Sequence, residues 1–440
     1  MDPAVTLLDL AQNSTPHYEA HQNIFVSLRA QPCSNVHSVL ADERCLFVRE
    51  TEECRESMHY LDYMHFVYCF VDSSNVLLFT SAIVALLVFV LLLGTLIYHL
   101  CVTRYVDSVL YVAKSWRLNE YIAGVTLLTY GNGLAQVLSE LKHHTSGDTE
   151  LIYNQYLGTA VYQVSFLAAL VIWTGSFAIY PEVIVPNLIS LMIVSLLVEE
   201  FMYDEQVGIV QTTALVDMIS GENLGWICLG SLIGSACFCV IVCSTSCYDR
   251  KPPFFTCIGL FAIFGTSYVI MLLSYELIAI LEALSIIANV SSASFAITIL
   301  AWGSCWIDLI TLRTLAVRGY SRIGFAACLG APVFNILIGL CTVFCVQMIR
   351  SGTTQIHVRD GTSGPTCAIY LFVTSMTTLL SVLFTRFEAR KSIAFCLTTL
   401  YVTFLVYVAF CEFEVTHGYG TDHNDDGEYF LDRVPGRREH

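Results

Sequence analysis

The sequence predicts an all-α polytopic membrane protein of about ten transmembrane helices, arranged as two inverted five-helix repeats with the N- and C-termini outside. Three observations predict it. Of the 440 residues, 55% are hydrophobic and only 13% charged, and the mean hydropathy is +0.65, a composition foreign to soluble domains. Apolar runs of about 18 residues or more recur along the chain, each long enough to cross the roughly 30 Å hydrocarbon layer as a helix. Two motifs of the first half also return in the second at one constant offset of 172 residues, 124 to 296 and 157 to 329.

Residues 1–75 form a polar, cysteine-bearing outer region with Cys33, Cys45, Cys54 and Cys69 and a glycosylation sequon at Asn13. An even number of cysteines in a small outside segment predicts two disulfides, with three pairings open. No Lys or Arg precedes Arg29, and no apolar core with a cleavage site is read there. The first span is therefore expected to act as its own insertion signal.

Ten spans follow near 76–102, 118–140, 151–175, 180–200, 223–247, 254–286, 293–316, 321–347, 366–386 and 391–411, each bounded by charges, Pro/Gly or polar clusters. They divide the chain into a first repeat, 76–247, a short inner linker, 248–253, a second repeat, 254–411, and an acidic outer tail, 412–440. In the tail, Asp422, Asn424, Asp426 and Gly427 imitate the start of a calcium loop, but Arg433 stands where a bidentate Glu is required, which excludes it.

Lys and Arg set the orientation, because short cytoplasmic-type loops retain positive charge. With the N-terminus outside, the inner loops hold Arg104, Lys114, Arg117, Arg250, Lys251, Arg313, Arg318, Arg322, Arg386, Arg390 and Lys391, against Lys142, Arg350 and Arg359 outside. Eleven against three favours this orientation and an even number of spans. The net charge of −16 then belongs mostly to the outer surface.

The internal repeat is read by setting "GVTLLTYGNGLAQ" (124–136) beneath "AITILAWGSCWID" (296–308): Thr126 meets Thr298, Gly131 meets Gly303, Asn132 meets Ser304 and Gln136 meets Asp308. Without a gap, "LGTAVYQ" (157–163) falls on "LGAPVFN" (329–335), pairing Gly158 with Gly330 and Gln163 with Asn335. Matched glycines and amides weigh more than aligned leucines. Because the second span runs inward to outward and the seventh the reverse, the topology is inverted.

These stretches resemble the cation/calcium exchanger superfamily, nearest its sodium/calcium exchanger branch that includes the mitochondrial exchanger. "AGVTLLTYGNGLAQVLSEL" (123–141), "LIAILEALSIIANVSSASFAITILAWGSCWIDL" (277–309) and "GYSRIGFAACLGAPVFNILIGL" (319–340) carry the resemblance. It implies a cation site at mid-membrane between the second, third, seventh and eighth spans, where each repeat normally contributes one acid, and alternating access by sliding of peripheral helices. It also implies calcium and sodium as transported ligands, with no other cofactor.

Residue chemistry leads to the same place. A helix interrupted in mid-membrane frees carbonyls that can hold a cation, and Gly131, Gly133, Gly303, Gly158, Gly330 and Pro332 are the expected interruptions. Asp308 is the expected charged ligand, since an ionised carboxylate in mid-bilayer usually marks an ion path. Gln136, Asn132, Ser304, Thr126, Thr298, Gln163 and Asn335 are the expected neutral oxygen ligands, and Glu276 and Glu282 stand second to them. The sequence departs from the family pattern at Gln136, where the acid of the first repeat is expected. Asp308 alone leaves about one positive charge of a divalent ion uncompensated.

The leading reading is a sodium/calcium antiporter. The alternative is a non-transporting or monovalent-cation paralogue acting as a regulatory membrane partner, alone or in a homo- or hetero-oligomer with related exchangers. No membrane-embedded catalytic constellation supports an enzyme, and no basic aromatic surface supports nucleic-acid binding. Membrane lipid is the expected surrounding. The disulfides and the lack of a transit peptide favour the plasma membrane, with the mitochondrial inner membrane, implied by the resemblance, as the alternative.

Overall fold

The structure is a computed structural model that describes residues 33–40, 43–51, 54, 61–71, 76–143, 149–203, 206–208, 255–351, 355–357 and 363–413. The fifth predicted span (223–247), the linker 248–253, Asn13 and the tail beyond 413 lie outside the described residues.

The nine other predicted spans coincide with described helices. Helix α1 runs through Val76–Leu100, a π-helical turn at Cys101–Tyr105, and Val106–Ser115. Helix α2 joins Glu120–Ala123, a π turn at Gly124–Leu128, and Thr129–His143. Helix α3 joins Thr149–Tyr162, a π turn at Gln163–Leu167, and Ala168–Thr174. Helix α4 is Pro181–Tyr203 and α5 is Phe255–Ala288. Helix α6 joins Ser292–Phe295, a π turn at Ala296–Leu300, and Ala301–Ser304, and a 47° bend leads into α7, Trp306–Val317. Helix α8 joins Ser321–Phe334, a π turn at Asn335–Leu340, and Cys341–Ser351, followed by α9, Ser363–Phe384, and α10, Lys391–Glu412.

By length and apolar composition seven described helices can cross a membrane, eight when the bent α6–α7 pair is one span. Helix α2 is long enough, but Asn132, Gln136, Ser139, Glu140 and Lys142 leave it less apolar than these.

The internal repeat is visible in the backbone. The π turns of α2 and α6 begin 172 residues apart (124 and 296), as do those of α3 and α8 (163 and 335). Two left-handed residues precede α2 and α6 at the same spacing, Arg117 with φ 52° and Asn289 with φ 54°. The short strands obey the same exchange. After α3, β1 (Phe177–Ala178) pairs antiparallel with β4 (Glu388–Ala389), which follows α9, while β2 (Gln206–Gly208), after α4, pairs with β3 (Gln355–His357), after α8.

Burial separates a centre from a periphery. In their most apolar stretches α3 is 78% and α8 67% buried, against 22% for α1 and 28% for α4. Helix α1 leaves Leu77, Leu91 and Leu92 exposed, and α5 leaves Phe261 and Phe264 exposed, as suits faces turned to lipid. Helix α3 carries no polar stripe because protein surrounds it, and its Asn154, Gln155, Thr159 and Gln163 are all buried.

One end of the bundle gathers basic residues. Arg318 pairs with Asp107 and donates to Val102 O at 3.0 Å, Arg322 lies 3.6 Å from Glu120, and Lys114 sits over the Tyr320 ring. The opposite end carries the N-terminal region, stapled by Cys33–Cys54 and Cys45–Cys69. That region docks on α5: Tyr63 Oη donates to Glu276 Oε2 at 2.6 Å, and His37 Nε2 lies 2.6 Å from Ile286 O. Burial and the Glu276 carboxylate push the Tyr63 hydroxyl above its ordinary range, so it stays the donor.

Candidate functional site

The polar centre lies where α2, α3, α7 and α8 meet. Asp308 stands in the first turn of α7, just past the bend at Cys305, and is 7% exposed. Asn132 of α2 donates from Nδ2 to Asp308 Oδ1, and Gln163 of α3 donates from Nε2 to Oδ2 at 2.6 Å. Asn132 Nδ2 also lies 3.2 Å from Thr311 Oγ1, one turn further along α7.

The symmetry-related half is built alike. Asn335 of α8 donates from Nδ2 to Gln136 Oε1 of α2 at 2.9 Å. Under the 172-residue shift this is the counterpart of Gln163 donating to Asp308, with an amide in place of the carboxylate.

At this centre three buried amide oxygens have no hydrogen-bond partner among the described residues: Asn132 Oδ1, Gln163 Oε1 and Asn335 Oδ1. Leaving a buried acceptor unsatisfied costs about 1–3 kcal/mol. All three belong to amides whose N–H groups are held on the Asp308 and Gln136 oxygens. A buried carboxylate, with unpartnered amide oxygens on the side chains that bond it and on the Asn335 that bonds Gln136, offers oxygen donors of the kind a hard cation takes. A small pocket reaches Asp308 and Gln163 between Leu128, Thr129, Cys328 and Ala331.

Ser304 closes the bent end of α6. Its hydroxyl lies 3.0 Å from Leu300 O and 3.3 Å from Thr159 Oγ1 of α3. Thr126 and Thr298 do not join the Asp308 network. Each hydroxyl donates one turn back along its own helix, to Ile122 O and Ser294 O, both at 2.5 Å, satisfying a carbonyl loosened next to the π turn.

The expected helix interruptions need correction at most positions. Only Gly303 adjoins a break, the 47° bend after Ser304. Helix α2 continues through Gly131 and Gly133, and α3 and α8 continue through Gly158, Gly330 and Pro332. These glycines serve close approach instead. A Cβ on Gly133 would sit 2.9 Å from Asn335 Oδ1, and one on Gly158 would sit 2.7 Å from Ile297 O. The ladder is loosened at the π turns, whose extra residue per turn disturbs local carbonyl pairing without ending the helix.

Glu276 is held by Tyr63 in the N-terminal docking contact, and Glu282 is half-buried on α5 with Ser285 donating to its backbone carbonyl. The hydrogen bonds to the Asp308 carboxylate come from Asn132 and Gln163. Thr311, Thr159 and Thr129 were not among the expected site residues. The signal for Thr311 is its place three residues after Asp308, and for Thr159 its place four before Gln163, each on the same helical face.

A family model described as "Sodium/calcium exchanger protein" matches residues 86–203 and 258–410. Among curated proteins, the mitochondrial sodium/calcium exchanger protein of Mus musculus is 34% identical over 188 residues, covering 42% of this chain and 32% of that protein. The Homo sapiens protein of the same name is 33% identical over 187 residues, with the same coverage of 42% and 32%. Cation/calcium exchanger 5 of Arabidopsis thaliana is 28% identical over 129 residues, covering 29% of this chain and 24% of that protein. The matched stretch thus spans a third or less of these relatives' length. Among solved structures, the sodium-calcium exchanger NCX_Mj soaked with 2.5 mM Na+ and 10 mM Sr2+ superposes with a TM-score of 0.52 at 11% identity, over 74% of this chain and 99% of that one. That likeness is one of fold.

Proposed function

The chain belongs to the sodium/calcium exchanger protein family, and we propose that it is a secondary active antiporter exchanging calcium against sodium at a cation site centred on Asp308. It is a multi-pass membrane protein of a transporter family, not an enzyme. Asp308 is the charged ligand in this reading. The side-chain oxygens of Asn132, Gln163, Asn335, Gln136 and Ser304 are the neutral ones.

One observation carries the proposal. A buried carboxylate and three unpartnered amide oxygens converge where two symmetry-related helix pairs meet. Such a site would face the two sides in turn as the peripheral helices shift about the α2–α3–α6/α7–α8 centre, with both termini on the outer side. Sodium-gradient-driven uptake of calcium-45 into proteoliposomes tests it. Uptake by wild type that disappears in Asp308→Asn supports the reading, and uptake indifferent to that substitution refutes it.

Gln136 favours a second reading, a chain that keeps the fold and regulates related exchangers by association. Wild type without flux of any cation, yet copurifying with a related exchanger, would support it. The names of the curated relatives favour a mitochondrial membrane and weigh against the plasma membrane expected from the disulfide-bearing N-terminal region.

A further inference from the structure

We infer that the Asp308 site is matched in charge to one monovalent cation of sodium size, and that Gln136 is the residue that sets this preference over calcium. This rests on the assignment of Asp308 as the cation ligand. Among the described residues Asp308 and Glu276 are the acids buried as whole residues, while Glu282 on α5 is half-buried with its Oε2 shielded from solvent. Glu276 receives the Tyr63 hydroxyl in the N-terminal contact and supplies no second charge to the site. Asp308 is the one charged side chain among the described residues lining the pocket. No group of three His, Cys, Asp or Glu that could gather a metal occurs among the described residues.

The ligand set is therefore one carboxylate with neutral oxygens. Gln136 occupies the position that symmetry makes equivalent to Asp308, and it is built in just as firmly, buried and accepting from Asn335 at 2.9 Å. It stands one helical turn, about 6 Å of rise, from Asn132, which bonds Asp308 directly. A carboxylate at 136 would face the same centre. The geometry of a two-acid site is present with one charge fewer.

A monovalent cation on Asp308 makes an electrically neutral assembly. A divalent ion leaves one positive charge in a site walled off from water, where that charge is poorly screened. The unpartnered carbonyls of Asn132, Gln163 and Asn335 replace hydration oxygens for either ion but neutralise nothing. Charge, not the number of oxygens, is what separates sodium from calcium here.

The test is equilibrium binding of sodium-22 to the purified full chain, with calcium as competitor, for wild type, Gln136→Asp, Gln136→Asn and Asp308→Asn. Wild type is expected to bind sodium and release it only at calcium concentrations above those at which sodium itself competes. Gln136→Asp is expected to lower the required calcium by about tenfold or more, while Gln136→Asn, which adds no charge, gives calcium no such gain. Calcium displacing sodium from wild type at lower concentration than sodium does, or wild type binding neither ion, overturns the inference. So does a folded Gln136→Asp with unchanged calcium competition. If Gln136→Asp loses its monodisperse elution, the wild-type competition still decides. Sodium binding undiminished in Asp308→Asn instead refutes the site assignment on which the inference rests.

Discussion

Gly158 of α3 rests on the backbone of Ile297 in the π turn of α6: a Cβ placed on Gly158 would sit 2.7 Å from both the Cα and the carbonyl oxygen of Ile297. Its symmetry mate Gly330 of α8 faces Val125 in the π turn of α2, with the Val125 Cα at 3.4 Å and the Thr129 hydroxyl at 3.3 Å. The contact is the same, but the first is tighter and its nearest atoms are all backbone, while the second also meets two side-chain atoms.

Gly158→Ala must therefore push α3 from α6, and is expected to destabilise the protein by about 1–3 kcal/mol. Gly330→Ala meets atoms that can give by a few tenths of an ångström and is expected to have the smaller effect. Thermal unfolding of both variants in detergent checks this. A larger loss for Gly330→Ala would contradict the packing described.

Gln163→Leu removes both the N–H donated to Asp308 and one unpartnered carbonyl. A hydrogen bond to a charged group contributes about 1.5–3 kcal/mol, which corresponds to roughly 10–150-fold in affinity. The half-saturating sodium concentration should rise by that order while the protein still elutes as a folded species. Thr311→Val, which removes a longer 3.2 Å contact between neutral groups, should shift it only a few-fold.

Tyr63→Phe leaves the buried Glu276 carboxylate without the Tyr63 donor. The expected loss is about 1–3 kcal/mol, concentrated where the N-terminal region meets α5. Amide hydrogen exchange should speed up along 276–288 and in 61–70, with residues 306–317 unchanged. Uniform acceleration across α7 would show instead that the contact supports the whole bundle.

The Cys33–Cys54 bridge closes a loop of sequence separation 21 and Cys45–Cys69 one of 24. Loops of this size stabilise by about 3 kcal/mol each. Cys54→Ser should open the N-terminal region to limited proteolysis and leave the helices intact. Equal protease resistance with and without the bridge would contradict its structural role.

Arg318 and Asp107 form an exposed pair at the basic end. Asp107→Ala should change stability by less than about 1 kcal/mol. Arg318→Ala should cost more, because Arg318 also donates to Val102 O inside the π turn of α1. Paired thermal melts distinguish the two.

Much of this was legible in one dimension. Composition and apolar run length determined the helical spans, because crossing hydrocarbon requires every backbone group to pair within its own helix. The constant 172-residue offset determined the repeat, and with it that Asp308 and Gln136 are equivalent positions and Gln163 and Asn335 likewise. Periodicity also placed Asn132 with Gln136 on one helix face, whereas the 47° bend after Ser304 puts Ser304 and Asp308 on separate helices, α6 and α7.

Contacts between helices were decided only by the tertiary structure. A glycine reads the same whether it interrupts a helix or admits a neighbour's backbone, and at 158 and 330 the neighbour across the interface settled it. Thr126 and Thr298 look like ligands by position, yet a hydroxyl one turn from a loosened carbonyl satisfies that carbonyl first. Which cysteines join, that Glu276 is held by Tyr63, and that Asn132 reaches across 176 residues to Asp308 depend on packing between segments remote in sequence. The sequence by itself determined the spans, the symmetry and the missing charge, since these are properties of each segment and its repeat. The fold alone decided which oxygens surround Asp308, since that follows from how separate helices fit against one another.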